Sequence, residues 1–111
     1  PTILQLTGTS ASRKLDGRSL IELAQNPDAG KDRTLLVEGF SRNRNQVTYA
    51  GVRTDRWLYV EYQNGGRELY DLERDPRQLQ SRHADPALAN VRADLAGRLG
   101  RLRTCAGEGC Q

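Results

Sequence analysis

The chain has no methionine, one tryptophan, one phenylalanine and one histidine among its 111 residues, and aromatics make up only 5% of it. A lone histidine cannot build a multi-histidine metal centre, so His83 is expected to be a surface residue. Two cysteines, Cys105 and Cys110, fall two ligands short of a zinc site, and no other ligands cluster beside them. No apolar run is long enough to cross a bilayer as a helix. Without methionine and with Pro1 first, the chain is expected to be a processed product or an excised piece, so the lack of a signal peptide says nothing about export. A large excess of either charge is also missing: 17 basic and 14 acidic residues give a net charge of +3. The two signs interleave along most of the sequence, which by itself points to no polyanionic partner.

What is present is enough for one modest core. A chain of this length hides about two-thirds of its surface on folding. Hydrophobic residues at 36% against 28% charged is a polar balance, implying either loose tails or a face completed by something else.

Residues 46–76 are the best-patterned stretch. Large β-formers recur at every second position and turn residues interrupt them, which predicts a three-strand meander. Thr54-Asp55 is expected to separate the first two runs and Asn64-Gly65-Gly66 the last two, as a three-residue hairpin loop. That loop would set Val60 across from Tyr70 and Leu58 across from Leu72, whereas a two- or four-residue loop would pair Val60 with Leu69. In the middle strand Leu58, Val60 and Tyr62 share one side, Trp57 and Tyr59 the other. Ahead of the meander, Arg33 to Phe40 reads as a further strand, and the run Leu35-Leu36-Val37 suggests burial on both of its faces.

The flanks read as helical. Thr2 to Leu6 offers one or two turns stopped by Gly8, and Ser19 caps a short segment through Leu23 that ends before Pro27. At the other end Asp85-Pro86 starts a helix whose Leu88, Val91, Leu95, Leu99 and Leu102 form a stripe at three- and four-residue spacing. Arg101 and Arg103 complement the negative end of its dipole. Cys105 and Cys110 are expected to form a disulfide, which indicates an exported protein. The fold expected is α+β: an antiparallel sheet of about four strands on one C-terminal amphipathic helix, with short N-terminal helical segments. Both faces of that sheet carry large apolar groups, and one helix covers only one, so the other requires a second layer or a partner.

The run G-V-R-T-x-R-W-L-Y-V-E-Y, followed by E-L-Y-D-L-E-R-D-P, resembles the C-terminal subdomain of the sulfatase family, the type I sulfuric ester hydrolases. Pro1 to Gly8 is similar to the helix that closes that family's large domain, and Leu15-Asp16-Gly17-Arg18-Ser19-Leu20 agrees as well. After Asp75-Pro76 the chain departs from the family's D-P-x-x-x-x-N-L, carrying Gln78, Leu79, Gln80 and Ser81. The resemblance implies that residues 1–32 are a stub and linker from the large domain. Residues 33–111 would be the subdomain, with a sheet over 33–72, a helix over 86–103 and a disulfide tail over 105–110.

Family sulfatases, the resemblance further implies, convert a cysteine in C-x-P/A-x-R to formylglycine and bind calcium. Neither Cys105 nor Cys110 stands in that motif, and the acidic metal-binding clusters are missing, so this chain is expected to hold no nucleophile, no metal and no hydrolase activity of its own. Its partner would be the N-terminal catalytic domain, and the protein would be secreted or periplasmic. Arg42, Asn43 and Arg44, on a polar loop, are the candidate substrate-facing residues, with Arg53 and Trp57 behind them, because a guanidinium matches sulfate or carboxylate oxygens with paired hydrogen bonds. Two other readings stay open: a small basic nucleic-acid-binding module, which lacks the usual motifs, and a free-standing domain that dimerises through the uncovered sheet face. No membrane partner is expected.

Overall fold

The computed structural model describes residues 1–42 and 46–110, with Pro27 and Glu108 described as backbone only. Two short helices, α1 (Thr2–Thr7) and α2 (Ile21–Gln25), and a 3-10 turn over Pro27–Gly30 precede four strands. These are β1 (Leu35–Phe40), β2 (Val47–Arg53), β3 (Trp57–Tyr62) and β4 (Arg67–Asp71). A 3-10 turn over Pro86–Leu88 then leads into α3 (Ala89–Thr104), and a last one covers Gly107–Cys110. The α+β architecture anticipated from the sequence is the one observed.

The sheet is an antiparallel meander in the order β1-β2-β3-β4. Its side chains alternate as the pattern required. Ala50, Val52, Tyr59 and Leu69 point to one side and pack with Leu95 and Leu99 of α3 as the buried core, flanked by Val47, Trp57, Leu88, Val91, Ala96 and Leu102. Gly51, between Ala50 and Val52, faces the other way, and a Cβ there would run into the Tyr59 carbonyl oxygen and the Val60 side chain. The start of the C-terminal helical segment is fixed by Asp85, whose Oδ1 accepts from Ala87 N–H at 2.9 Å. This capping of the first turn was legible in Asp85-Pro86, although that turn is 3-10 before α3 proper begins.

Three local expectations are corrected. The β2–β3 turn is Asp55-Arg56, not Thr54-Asp55, because Thr54 N–H donates to the Trp57 carbonyl at 2.8 Å and the Thr54 hydroxyl accepts from Trp57 N–H at 2.9 Å. The β3–β4 loop does have three residues, but they are Gln63-Asn64-Gly65: Tyr62 N–H donates to the Gly66 carbonyl at 2.8 Å, and Gly65 takes a φ of 86°. Glycine accepts this left-handed conformation without a Cβ clash, and the Asn64 side chain holds Gly66 N–H at 3.0 Å. Leu58 therefore faces Tyr70 and Val60 faces Glu68. The shift is by two residues, so every side chain keeps its expected face. The third correction concerns β1, which begins at Leu35 and is an edge strand. Leu35 and Leu36 are 43 and 37% exposed rather than buried on both faces.

The opposite edge is protected. Leu69 N–H donates to Ser81 Oγ at 3.2 Å, and Arg82 N–H donates to the Leu69 carbonyl at 2.7 Å, so residues 81–82 lie along β4.

Candidate functional site

The candidate residues fall at two ends of the sheet. Arg42 is exposed in the turn after β1, while Asn43 and Arg44 lie outside the described residues. Arg53 closes β2 and Trp57 opens β3, on either side of the Asp55-Arg56 turn. A meander places successive turns at alternate ends, so one strand length, about 20 Å for six residues, separates that turn from the Arg42 loop. Arg53 and Trp57 also face opposite sides of the sheet. The arrangement in which they stand behind the loop is therefore not the one observed.

What the β2–β3 end does assemble is a charged cluster that sequence reasoning missed. Asp71, the last residue of β4, is 2% exposed and sits across from Trp57. Arg56 donates from Nε and Nη2 to its two carboxylate oxygens at 3.2 and 2.8 Å. Glu73 lies 3.4 Å from Arg56 Nε, and the guanidinium carbon is 4.9 Å from the centre of the Trp57 ring. Hydrogen bonding from Arg56 holds the Asp71 carboxyl below its usual range against the opposing effect of burial. With Leu72 N–H donating to the Arg56 carbonyl at 2.7 Å, the cluster ties the end of β4 to the β2–β3 turn. The clue in the sequence was an aspartate between Tyr70 and Leu72, where a strand of large side chains tolerates a charge only if it is paired.

Asp75 organises the following loop through main-chain groups. Its Oδ2 accepts from Gln80 N–H at 2.9 Å, and backbone donors from Gln80, then Leu79, then Gln78 and Arg77, pull its carboxyl down. Backbone donors serve whatever side chains follow, which explains how the loop tolerates the departure from the family pattern at residues 78–81. On the helix side, burial and then the Glu61 carboxylate push the Tyr59 hydroxyl up to about 12, with the hydroxyl donating to Glu61 Oε1 at 2.8 Å.

The sheet face away from α3 buries Val60 at its centre and leaves Tyr62 37% exposed, with Arg53 and Glu68 on the same face. Leu58 and Tyr70 are half-buried on it, and Tyr49 and Tyr62 stack at a tilt of 51° with ring centres 5.8 Å apart. The N-terminal segment reaches its corner, where Leu23 and Gly30 line a cavity with Leu35 and Arg53.

Among the described residues no group of three or more His, Cys, Asp or Glu is placed to hold a metal ion. Cys105 and Cys110 are joined in a disulfide. The loop it closes also binds the N-terminal segment, since Gly107 N–H donates to Asp16 Oδ1 at 2.8 Å. No helix among the described residues is long and apolar enough to cross a membrane.

Residues 1–105 match the family described as N-sulphoglucosamine sulphohydrolase, C-terminal. Arylsulfatase K of Mus musculus is 33% identical over 89 residues, which cover 71% of this chain and 16% of that protein. A solved complex of a protein with its substrate D-glucosamine-2-N,6-O-disulfate superposes with a TM-score of 0.78 at 21% identity, over 93% of this chain and 22% of that one, which shows a shared fold. The phosphonate monoester hydrolase of Agrobacterium radiobacter superposes with a TM-score of 0.71 at 26% identity, over 93% of this chain and 23% of that one. The chain spans a fifth or less of the length of the curated relatives it matches.

Proposed function

This chain belongs to the N-sulphoglucosamine sulphohydrolase C-terminal family, and from its place there we propose that it is the accessory subdomain of a longer enzyme that hydrolyses sulfate esters. The observation that carries the reading is the open sheet face. Leu58, Tyr62 and Tyr70 present apolar area that α3 does not reach, and a catalytic domain packed there supplies the missing layer. Residues 1–32 are the connection to that domain, and residues 33–111 are the subdomain.

In this reading the catalytic domain brings the formylglycine and the calcium ion, which together provide the nucleophile and neutralise the sulfate oxygens. The present chain contributes shape. The Arg42–Arg44 loop, carried on a rigid meander, borders the substrate pocket and meets anionic groups of the substrate away from the scissile bond. Arg53 and Trp57, at the other end, serve the fold rather than that pocket. A phosphonate monoester hydrolase shares this fold, so the choice of sulfur over phosphorus is made by the catalytic domain. The Cys105–Cys110 disulfide supports export to the periplasm or the cell exterior.

Sulfate release by the full-length protein tests the class of the enzyme. A protein without a C-x-P/A-x-R cysteine or without sulfate ester hydrolysis rules it out. For the loop, Arg42→Ala and Arg44→Ala should raise KM for an anionic sulfated sugar about fivefold each, with kcat nearly constant. Unchanged kinetics would remove the loop from the pocket.

A further inference from the structure

Along the C-terminal half of α3 runs a cleft of about 430 Å³, bounded on its far side by residues 28–34 and at one end by the disulfide loop. Five cations line it, Arg18, Lys31, Arg33, Arg98 and Arg101, against the acids Asp28, Asp32 and Asp94. Two of the acids are already paired: Lys31 Nζ is 2.8 Å from Asp28, and Arg98 Nε is 2.9 Å from Asp94. Arg98 also donates to Thr34 Oγ1 at 3.0 Å, and Arg18 donates to the Ala29 carbonyl at 3.2 Å.

Arg33 and Arg101 are different. Neither guanidinium makes a hydrogen bond or ion pair with any described residue; Arg33 is half-buried, while Arg101 is exposed at the cleft's rim. A guanidinium that, like that of Arg33, has lost part of its hydration and found no acceptor is stabilised by an oxyanion entering beside it, through paired N–H···O bonds. Beyond Arg33 the cleft continues into a second cavity of about 320 Å³, which shares Arg18 and Arg33 and runs on to Leu35 and Leu36. The space therefore suits a chain-like ligand with an anionic group rather than a single ion. No aromatic ring lines either cavity, so unstacked nucleic-acid bases find no platform.

We propose that this cleft is a second carbohydrate site, which holds a sulfated or carboxylated sugar unit with Arg18, Arg33 and Arg101 around the anionic group. The proposal rests on the sulfatase reading for its ligand class: a polymer bearing sulfate esters would be held on the subdomain while a distant unit occupies the catalytic centre.

The test uses the full-length protein and a heparin-derived octasaccharide, with Kd measured by calorimetry. Replacing both unpaired arginines (Arg33→Gln with Arg101→Gln) should raise Kd about tenfold or more. Arg67→Gln with Arg77→Gln, which removes the same charge from exposed positions outside the cleft, should change it less than about twofold. Equal effects of the two pairs would overturn the site. So would full competition by inorganic sulfate at matched concentration, which marks a free-ion site, or equally tight binding of a DNA oligonucleotide of the same charge. If the Gln pair lowers the melting temperature, Arg33→Lys with Arg101→Lys decides instead: it keeps the charge and loses the paired bonds, so Kd should rise about threefold, and an unchanged Kd rejects the site. Sulfate release by the unaltered protein, from aryl and sugar sulfate esters alike, is scored separately. Its absence removes the sulfatase reading and leaves the octasaccharide result to stand or fall on its own.

Discussion

On the α3 side of the sheet Val52, Tyr59 and Leu69 are at most 2% exposed and Leu36, on the edge strand β1, reaches 37%, whereas on the other side Val60 is 7% exposed at the centre but Tyr62 and Leu35 are 37 and 43% exposed. Both sides are built from the same residue types in the same alternation. The difference lies in the cover: α3 presents Leu95 and Leu99 to one side, and no described helix lies over the other. A strand pattern thus specifies which residues share a face, but the burial of that face depends on what is laid across it. The covered side also holds the buried carboxylate, Asp71, and holds it with Arg56.

The largest effect should come from cutting into the covered side. Leu69→Ala leaves a void between Tyr59, α3 and β4, and should cost about 3 kcal/mol in urea denaturation of the chain. That is a large share of the stability of a domain this size. A loss under about 1 kcal/mol would mean that the two faces are less different than their exposures imply.

Next comes the charge on that side. Asp71→Asn keeps the shape and loses the carboxylate, so it should cost about 1.5 kcal/mol near neutral pH; the Arg56 side chain is 46% exposed, which keeps the figure modest. The folded-state value of Asp71 is lowered, so its stabilisation is present above the ordinary aspartate range, near pH 4, and is lost as pH falls through the folded value. The urea midpoint followed from pH 5 to pH 2 should therefore decline less steeply in the Asn variant. It should still decline, because Asp75 and Asp85 are lowered too. Parallel curves would show that Arg56 does not hold Asp71 in solution.

The contrast between the faces also explains what could be read in advance. The alternation in W-L-Y-V-E-Y and E-L-Y-D-L assigned each side chain to its face, and Asp85-Pro86 with Leu95 and Leu99 located the covering helix. Turn positions were less legible. A three-residue loop can be drawn as 63–65 or as 64–66 with the same alternation, and only the left-handed Gly65 and the Asn64 side chain decide between them. Leu35-Leu36-Val37 looked buried because apolar content alone does not distinguish a central strand from an edge. Arg56 and Asp71 are 15 residues apart in the chain, and their pairing depends on a register that had to be known first. For the candidate site, the order of the turns along the chain was readable, but their alternation between the two ends of the sheet is what parts Arg42 from Arg53.

The smallest effect, and the one that most sharpens the comparison, is expected on the open side. Tyr62→Thr keeps a good strand former while removing one ring of the Tyr49–Tyr62 pair. In the 111-residue chain it should cost about 0.5 kcal/mol, because an exposed ring in a single tilted pair contributes little. In the full-length protein the same change falls under the proposed catalytic domain, where a lost aromatic side chain leaves a cavity, and should cost about 2 kcal/mol or more. Denaturation of both forms gives the two numbers. Equal small costs would place Tyr62 in water in the longer protein as well, and the open face would then need a different cover. A symmetric dimer in sedimentation would identify that cover as a second copy of the chain.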